Sequence, residues 1–292
     1  MNMSNFHKGV IYTSLGSLWW GIIGVIYFQF FSFVGHIELV IHRCLWTSLT
    51  LIITTTFFSK WNIFFLEIKN NRKLFILFFS GLLIFCNWAV WIYAVATNQI
   101  INASFGYFIM PILSVLFGFL FFKEKLNKKR IFSISLVILS ILYLLIDFNT
   151  LPWVGLFVAF SWSTYNLLRK TINIDTDIGL LIESFYILPF AIITFYFLVN
   201  NNVNDFNFNN IQLMFLLLLA GPMTVIPLFL YVRGVELSGL GPTGMIFFIT
   251  PTCQFLLGYL YYNEAFSFNK FISFIFIWIA VFIYLRDLYE NN

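Results

Sequence analysis

The sequence predicts an all-α integral membrane protein of ten transmembrane helices, arranged as two inverted five-helix repeats with both termini in the cytoplasm. Three observations predict this fold: an apolar composition, a series of apolar segments and an internal repeat. Of the 292 residues, 61% are hydrophobic and only 10% are charged, and the mean hydropathy is +0.90. A soluble domain of this size would expose apolar patches far larger than monomers tolerate. We therefore expect the chain in a lipid bilayer.

Ten apolar segments have, or approach, the length of about 20 residues that a helix needs to cross a hydrocarbon core of roughly 30 Å. Short charged or turn-rich stretches separate them, for example KEKLNKKR at 123–130 and NIDTD at 173–177. The segments are 9–31, 37–58, 74–96, 102–122, 131–147, 153–170, 178–199, 211–232, 240–262 and 270–288.

The distribution of basic residues predicts the orientation. With the N-terminus in the cytoplasm, cytoplasmic segments receive 14 of the 16 basic residues, with Arg169 counted among them. The exterior receives only Lys270, and Arg43 lies within a span. This asymmetry is the positive-inside pattern of inner-membrane proteins.

An internal repeat divides the chain into halves at 1–149 and 150–292. The stretch FGYFIMPILSVLFGFLFFKEK begins at residue 105, and MIFFITPTCQFLLGYLYYNEA begins at residue 245. Because each half holds an odd number of helices, the second copy must enter the membrane from the opposite side, as in many secondary transporters. The residues in register are Phe108/Phe248, Ile109/Ile249, Pro111/Pro251, Leu116/Leu256, Gly118/Gly258, Leu120/Leu260 and Glu124/Glu264.

Several motifs occur in order along almost the whole chain. They are HRCLW (42–46), NWAVWIYAV (87–95), NASFGYFIMP (102–111), YNLLRK (165–170), LIESFYILP (181–189) and ITPTCQFLLGYLYYNE (249–264). With them the chain resembles the RarD group, the chloramphenicol-sensitivity permeases, within the EamA-domain branch of the drug/metabolite transporter superfamily. The resemblance implies a ten-helix inner-membrane carrier with a central cavity between inverted halves. It does not specify the solute.

Three ionisable residues within predicted spans stand out: His42, Arg43 and Glu183. Such residues are costly in hydrocarbon, by at least about 2.5–3.5 kcal/mol for Arg or Asp at a helix centre, and they face protein or water. Aligning IELVIHR (37–43) with IGLLIES (178–184) superposes His42 on Glu183. We expect these two at opposite gates, on the order of 15 Å apart along the membrane normal and not paired with each other.

Both gate residues are candidates for a change of protonation during transport. For two of the three ionisable residues, His42 and Arg43, the sequence also allows a purely structural role. Glu38 and His42 are i, i+4 neighbours that could satisfy each other on one helix face. Arg43 is close enough to the interface to extend outward to water.

Aromatic and amide side chains within the spans form the predicted substrate site. An amphiphilic solute could stack on such rings and hydrogen-bond to the amides. Aromatic residues make up 22% of the chain, so many must instead be packing residues. The predicted substrate-binding residues are Trp20, Asn87, Trp91, Tyr107, Trp162, Tyr165 and Gln254.

Matched prolines predict helix kinks, because a proline inside a helix removes one backbone hydrogen bond. Pro111 and Pro251 occupy equivalent places in the fourth and ninth spans. Glu124 and Glu264 end the same two spans, where we expect them to anchor loops.

The predicted function is secondary transport of small organic metabolites or drug-like amphiphiles by alternating access. No Walker A, H-E-x-x-H or G-x-S-x-G sequence occurs, and Cys44, Cys86 and Cys253 lack metal-site spacing. We therefore predict no catalytic residue, metal or cofactor, and no nucleic-acid partner. The expected partners are a small solute, the lipid bilayer and, as a candidate coupling ion, the proton, with a monomer or homodimer as the assembly. The alternatives are a polytopic membrane enzyme acting on a lipid-linked substrate, and a channel or passive scaffold.

Overall fold

The computed structural model describes residues 4–30, 33–96, 100–145, 153–260 and 268–291, and these residues form helices and short connections without strands. Glu264 lies outside the described residues. The helices are α1 (Asn5–Leu18), a π-helical turn (Trp19–Ile23), α2 (Gly24–Gln29), α3 (His36–Phe57), α4 (Trp61–Glu67), α5 (Asn71–Ala96), α6 (Ile100–Phe122), α7 (Lys128–Leu145), α8 (Trp153–Thr171), α9 (Thr176–Asn200), α10 (Ile211–Leu218), α11 (Ala220–Ser238), α12 (Leu240–Ile246), α13 (Ile249–Leu260) and α14 (Phe268–Asn291).

Six helical stretches in the described part are long and apolar enough to cross a membrane, so the chain is a multi-pass membrane protein. They are Asn5–Phe28, His36–Phe57, Asn71–Ala94, Thr176–Asn200, Ile211–Ser238 and Phe271–Glu290, with Gly106–Phe122 as a shorter apolar helix. The helices α7 and α8 also coincide with predicted segments. Three basic residues begin α7, and α8 buries polar side chains, so neither has the plain apolar composition of a lipid-facing span.

The main helix contacts join the two predicted halves. The helix α1 packs on α11, α5 packs on α8, and α3 packs on α9. Likewise α6 packs on α8 and α12, and α7 packs on α14. The sequence repeat makes α1 the mate of α8, α5 the mate of α11, α3 the mate of α9, α6 the mate of α12 and α7 the mate of α14. The contact between α1 and α11 therefore has the contact between α8 and α5 as its counterpart. The contacts α3–α9, α6–α12 and α7–α14 each join a helix to its own mate. Residues from both halves therefore line the middle of the bundle.

The matched prolines have different local structures. Pro111 lies inside α6. Pro251 instead lies in the first turn of α13, just after the helix is interrupted at residues 247–248. The interruption at residues 247–248 lies three to four residues before Pro251, where a proline lacks the backbone hydrogen bond and clashes with the preceding turn. The predicted kink of the ninth span therefore coincides with a break in the helix. A proline is well tolerated in a first turn, where its missing N–H has no intrahelical acceptor.

A short helix, α4, occupies the connection after α3, which the apolar pattern leaves as a loop. Lys60 precedes it, and its Nζ lies 2.7 Å from a carboxylate oxygen of Asp177 and 3.4 Å from one of Asp175. These contacts tie the connection between α3 and α5 to the start of α9.

Candidate functional site

An aromatic cluster built from both halves occupies the middle of the helix bundle. The Trp20 and Trp162 ring centroids are 5.0 Å apart, and Trp162 lies 5.4 Å from Tyr231. Tyr231 and Tyr107 in turn contact Phe247, at 5.4 Å and 5.9 Å. The members of this aromatic cluster are Trp20, Tyr107, Trp162, Tyr165, Tyr231 and Phe247. It thus brings together four of the predicted substrate-binding residues: Trp20, Tyr107, Trp162 and Tyr165.

Trp20 and Trp162 are approximate repeat mates, and their contact has a geometric meaning. Two residues related by a two-fold axis can touch only when both lie near that axis. The cluster is therefore located where the predicted halves meet, which is also where a solute could be reached from either side.

The π-helical turn Trp19–Ile23 positions Trp20. Such turns insert an extra residue into a helix and re-aim the side chains that follow. Gly21 lets this turn approach α13 closely, since a Cβ there would lie 2.7 Å from the Cβ of Cys253. Thr250 Oγ1 also donates to the Ser17 carbonyl at 3.0 Å. The turn is therefore held against the interrupted region that carries Phe247.

The other predicted substrate-binding residues lie apart from the cluster. Asn87 donates its amide to the Val158 carbonyl and to Ser161 Oγ, both at 2.9 Å, and so joins α5 to α8. Trp91 contacts Phe28, with ring centroids 6.0 Å apart. Gln254 is a partly buried residue of α13. No hydrogen bond or ring contact between described residues brings Gln254 into the cluster.

A buried charge network lies beside the aromatic cluster. Arg169 is fully buried, and its guanidinium nitrogens lie 3.6 Å from carboxylate oxygens of Glu183 and of Glu236. Glu183 also accepts hydrogen bonds from Ser80 Oγ at 2.6 Å and from Tyr165 at 3.3 Å. We call Arg169, Glu183 and Glu236 the charge network.

The charge count above placed Arg169 among the cytoplasmic basic residues, and the structure buries its side chain completely. Its guanidinium lies against α9, where Gly179 leaves it room, since a Cβ at Gly179 would collide with Nη1. The helical spacing carried a signal for this position. Trp162, Tyr165 and Arg169 follow one another at i, i+3 and i+7, so they share one face of α8.

Tyr165 joins the charge network to the aromatic cluster. Its ring centroid lies 5.9 Å from that of Trp162, and its hydroxyl donates to Glu183. Glu183 also lines an apolar cavity between α3, α5, α9 and α11, together with Thr47 and Trp88. The Thr47 hydroxyl is buried without a hydrogen-bond partner. Glu183 therefore contacts a charged network, an aromatic cluster and a cavity at once.

His42 has a different environment from its repeat mate. Its Nε2 lies 3.3 Å from Glu38 Oε1, and its Nδ1 accepts a hydrogen bond from Trp46 at 2.9 Å. Glu38 in turn accepts from the backbone N–H groups of Asp205 and Phe206, at 2.8 Å and 3.0 Å. The local Glu38–His42 pair is confirmed as a contact. The expectation that His42 and Glu183 do not pair with each other is also confirmed.

Arg43 is buried, with 5% of its surface exposed. The alternative in which it extends outward to water is therefore wrong. Its guanidinium lies over the rings of Trp88 and Phe28, 4.5 Å and 5.1 Å from the centroids.

Glu124 fastens the end of α6 to the start of α12. Its carboxylate accepts from the N–H groups of Leu240 and Gly241 at 2.8 Å and 2.9 Å. Lys170 Nζ lies 3.9 Å from the same carboxylate. The predicted anchoring role thus joins the two halves rather than holding a neighbouring loop.

Metal-ligand chemistry finds no support among the described residues. No group of three His, Cys, Asp or Glu side chains there could hold a metal ion. All three cysteines are free thiols.

Comparison with known proteins identifies the class. The model of the EamA-like transporter family matches residues 7–146. The chain is 32% identical to the uncharacterized transporter YojE of Bacillus subtilis, over 97% of this chain and 95% of that protein. It is 30% identical to protein RarD of Escherichia coli, over 98% and 97%. One crystal structure superposes with a TM-score of 0.70 over 96% of this chain and 97% of that one, at 13% identity, which supports the fold alone.

The chain is therefore a membrane transporter of the EamA-like transporter family. Within that family it belongs to the RarD-type group, because the similarity to RarD proteins extends over nearly its whole length. The predicted resemblance is confirmed.

Proposed function

We propose that this protein is a secondary carrier that moves small organic solutes across the bacterial inner membrane by alternating access. It would have ten spans, both termini in the cytoplasm and two inverted halves, 1–149 and 150–292. The solute would bind in the aromatic cluster and the adjoining cavity. The observation that carries the proposal is the contact between Trp20 and Trp162, residues of opposite halves at one central point.

The pattern of helix packing supports the inverted arrangement. The repeat-related pairs α1–α11 and α5–α8 both occur, and three further pairs map onto themselves. A carrier of this kind alternates by moving one half against the other around a fixed site. Because the contacts between the halves are extensive, such a motion must exchange many of them for equivalent ones.

Glu183 is the residue we propose to couple transport to protons. It lies where α5, α8 and α9 meet, through Ser80, Tyr165 and Arg169. Protonation of its carboxylate would release Arg169 to Glu236 and loosen the contact between those helices. His42 is a weaker candidate, since none of its described contacts, which include Phe195 of α9 and Phe206, reaches the aromatic cluster.

Counterflow in proteoliposomes tests the carrier proposal. Vesicles loaded with a panel of unlabelled amphiphilic solutes should accumulate the labelled form transiently and saturably, and Trp162→Ala should abolish the accumulation. A matched control is Trp153→Ala at the exposed start of α8, 51% exposed, which should leave it unchanged. Chemical conversion of a solute without counterflow would instead identify a membrane enzyme.

A further inference from the structure

Arg43 differs from the other buried charged residues in lacking an opposite charge. Among described residues, Glu38 is paired with His42, Arg169 with Glu183, and Asp287 with Arg130. Arg43 is as buried as these residues, yet no carboxylate lies within ion-pair distance of it in the described part of the chain. A buried charge without a partner is strongly destabilising. The fold therefore retains a cation that its own side chains do not neutralise.

The guanidinium of Arg43 is held in place but only partly satisfied. Its Nε donates a long hydrogen bond, 3.4 Å, to Thr224 Oγ1 of α11. The two Nη nitrogens make no hydrogen bond with described residues, and neither is among the fully enclosed polar atoms that lack a partner. Both therefore retain accessible surface. The paired donors of a guanidinium match the two oxygens of a carboxylate.

The aromatic surroundings of Arg43 come from the first half, and its hydrogen bond to Thr224 reaches the second half. Trp88 and Phe28 lie against the guanidinium, and Trp91 contacts Phe28 at 6.0 Å. Trp88 also lines the cavity that reaches Glu183. A ligand group at Arg43 would thus have aromatic rings beside it, and one of them, Trp88, is shared with the cavity.

We infer that the transported solute carries a carboxylate, which binds Arg43, on an apolar or aromatic body, which lies against Trp88 and Phe28. This inference rests on the proposed carrier function and names its substrate class. One guanidinium matches the single charge of a carboxylate. A phosphate dianion would need a second cation, and no other buried cation among the described residues lies free of carboxylates.

Ligand binding to the wild-type protein tests the inference without any substitution. Purified protein is titrated with benzoate, phenylacetate and indole-3-acetate and with the primary amide of each, with thermal unfolding and tryptophan fluorescence as readouts. At least one acid should bind about tenfold or more tightly than its amide, as for hydrogen bonds between charged groups. Amides that bind as well as the acids, or an absence of binding by every acid, would overturn the inference. Tighter binding of phenyl phosphate would overturn the choice of carboxylate.

Substitutions then assign the preference to Arg43. Arg43→Gln should remove the difference between acid and amide, and Arg43→Lys should retain part of it. The matched control is Arg286→Gln, a largely exposed cation that pairs with Glu290 near the chain end. If Arg43→Gln does not fold, the difference in affinity between acid and amide for the wild-type protein still tests whether the solute carries a carboxylate.

Counterflow separates this inference from the carrier proposal. Saturable counterflow of the amides with none of the acids would overturn the carboxylate and leave the carrier intact. Binding of an acid that depends on Arg43, without counterflow of any solute, would support the carboxylate site and count against the carrier.

Discussion

The predicted sequence repeat aligns His42 with Glu183, but the surroundings of these two residues differ in kind. His42 contacts Glu38 of its own helix, Phe195 of α9 and Phe206 of the connection after α9. Glu183 contacts residues of α5 and α8 and lines a cavity. Both residues contact both predicted halves, but among described contacts only Glu183 is joined to the aromatic cluster, through Tyr165, and only Glu183 lines the cavity. The comparison therefore favours Glu183 over His42 as the functional member of the pair.

The largest effect is expected for Arg169→Met. It leaves Glu183 buried without a cation, whereas Glu236 keeps Arg233 at 2.9 Å, and breaking a buried ion pair from one side costs about 3–5 kcal/mol. The free energy of unfolding, measured by denaturant titration in mixed micelles, should fall by that order. Adding Glu183→Gln and Glu236→Gln should recover much of the loss. A single substitution that leaves stability unchanged would show that the three charges do not act as a network.

The next effect compares the two repeat mates directly. Glu183→Gln retains the shape of the side chain but removes its charge, so Arg169 keeps only Glu236 nearby. We expect the rate of counterflow to fall at least about tenfold, equivalent to roughly 1.4 kcal/mol. His42→Gln should change it less than about twofold, since no described contact of His42 reaches the aromatic cluster. Equal losses from both substitutions at matched reconstitution would contradict the comparison.

The sequence predicted the apolar segments and much of the aromatic cluster, and the reasons are physical. Spans are predictable because lipid imposes a length and a composition on each of them. Trp20, Tyr107, Trp162 and Tyr165 were identifiable because large polar-edged rings are expensive to place at random within a bundle.

Other features depended on tertiary contacts that the charge pattern hides. The charge count treated Arg169 only as one of the cytoplasmic basic residues, although it is fully buried and Gly179 on another helix makes room for it. Glu236 and the π-helical turn at Trp19–Ile23 likewise have no signature in the composition of their own segments. The polar composition of residues 200–210 predicted only a connection between two spans. In the structure, the backbone N–H groups of Asp205 and Phe206 donate hydrogen bonds to the buried Glu38 carboxylate.

Glu38→Gln tests the surroundings of His42, which Glu38 contacts. It weakens the hydrogen bonds to the Asp205 and Phe206 N–H groups, which a charged acceptor strengthens. We expect a loss of stability of about 1–2 kcal/mol and faster hydrogen exchange of peptides that contain these two residues. Counterflow should continue at a similar rate in the folded fraction. Unchanged exchange in this segment would count against an anchoring role for the pair.

The smallest effect is expected at the start of α9, for Lys60→Gln. Partial burial lowers the pKa of Lys60, but the hydrogen bonds and charges of Asp177 and Asp175 outweigh it, so the pKa lies above its usual value. A raised pKa means that the pair stabilises the fold at neutral pH and that this contribution is lost as pH rises through the elevated pKa. Because Lys60 is 31% exposed, solvent and salt screen the pair, and it should contribute less than about 1 kcal/mol. Thermal unfolding at low and high salt should show a small difference from wild type only at low salt, and counterflow should be unaffected. A large loss of transport would extend the functional region of α9 from Glu183 to its surface end. The functional difference between Glu183 and His42 would then be a property of the whole helix α9 rather than of one carboxylate.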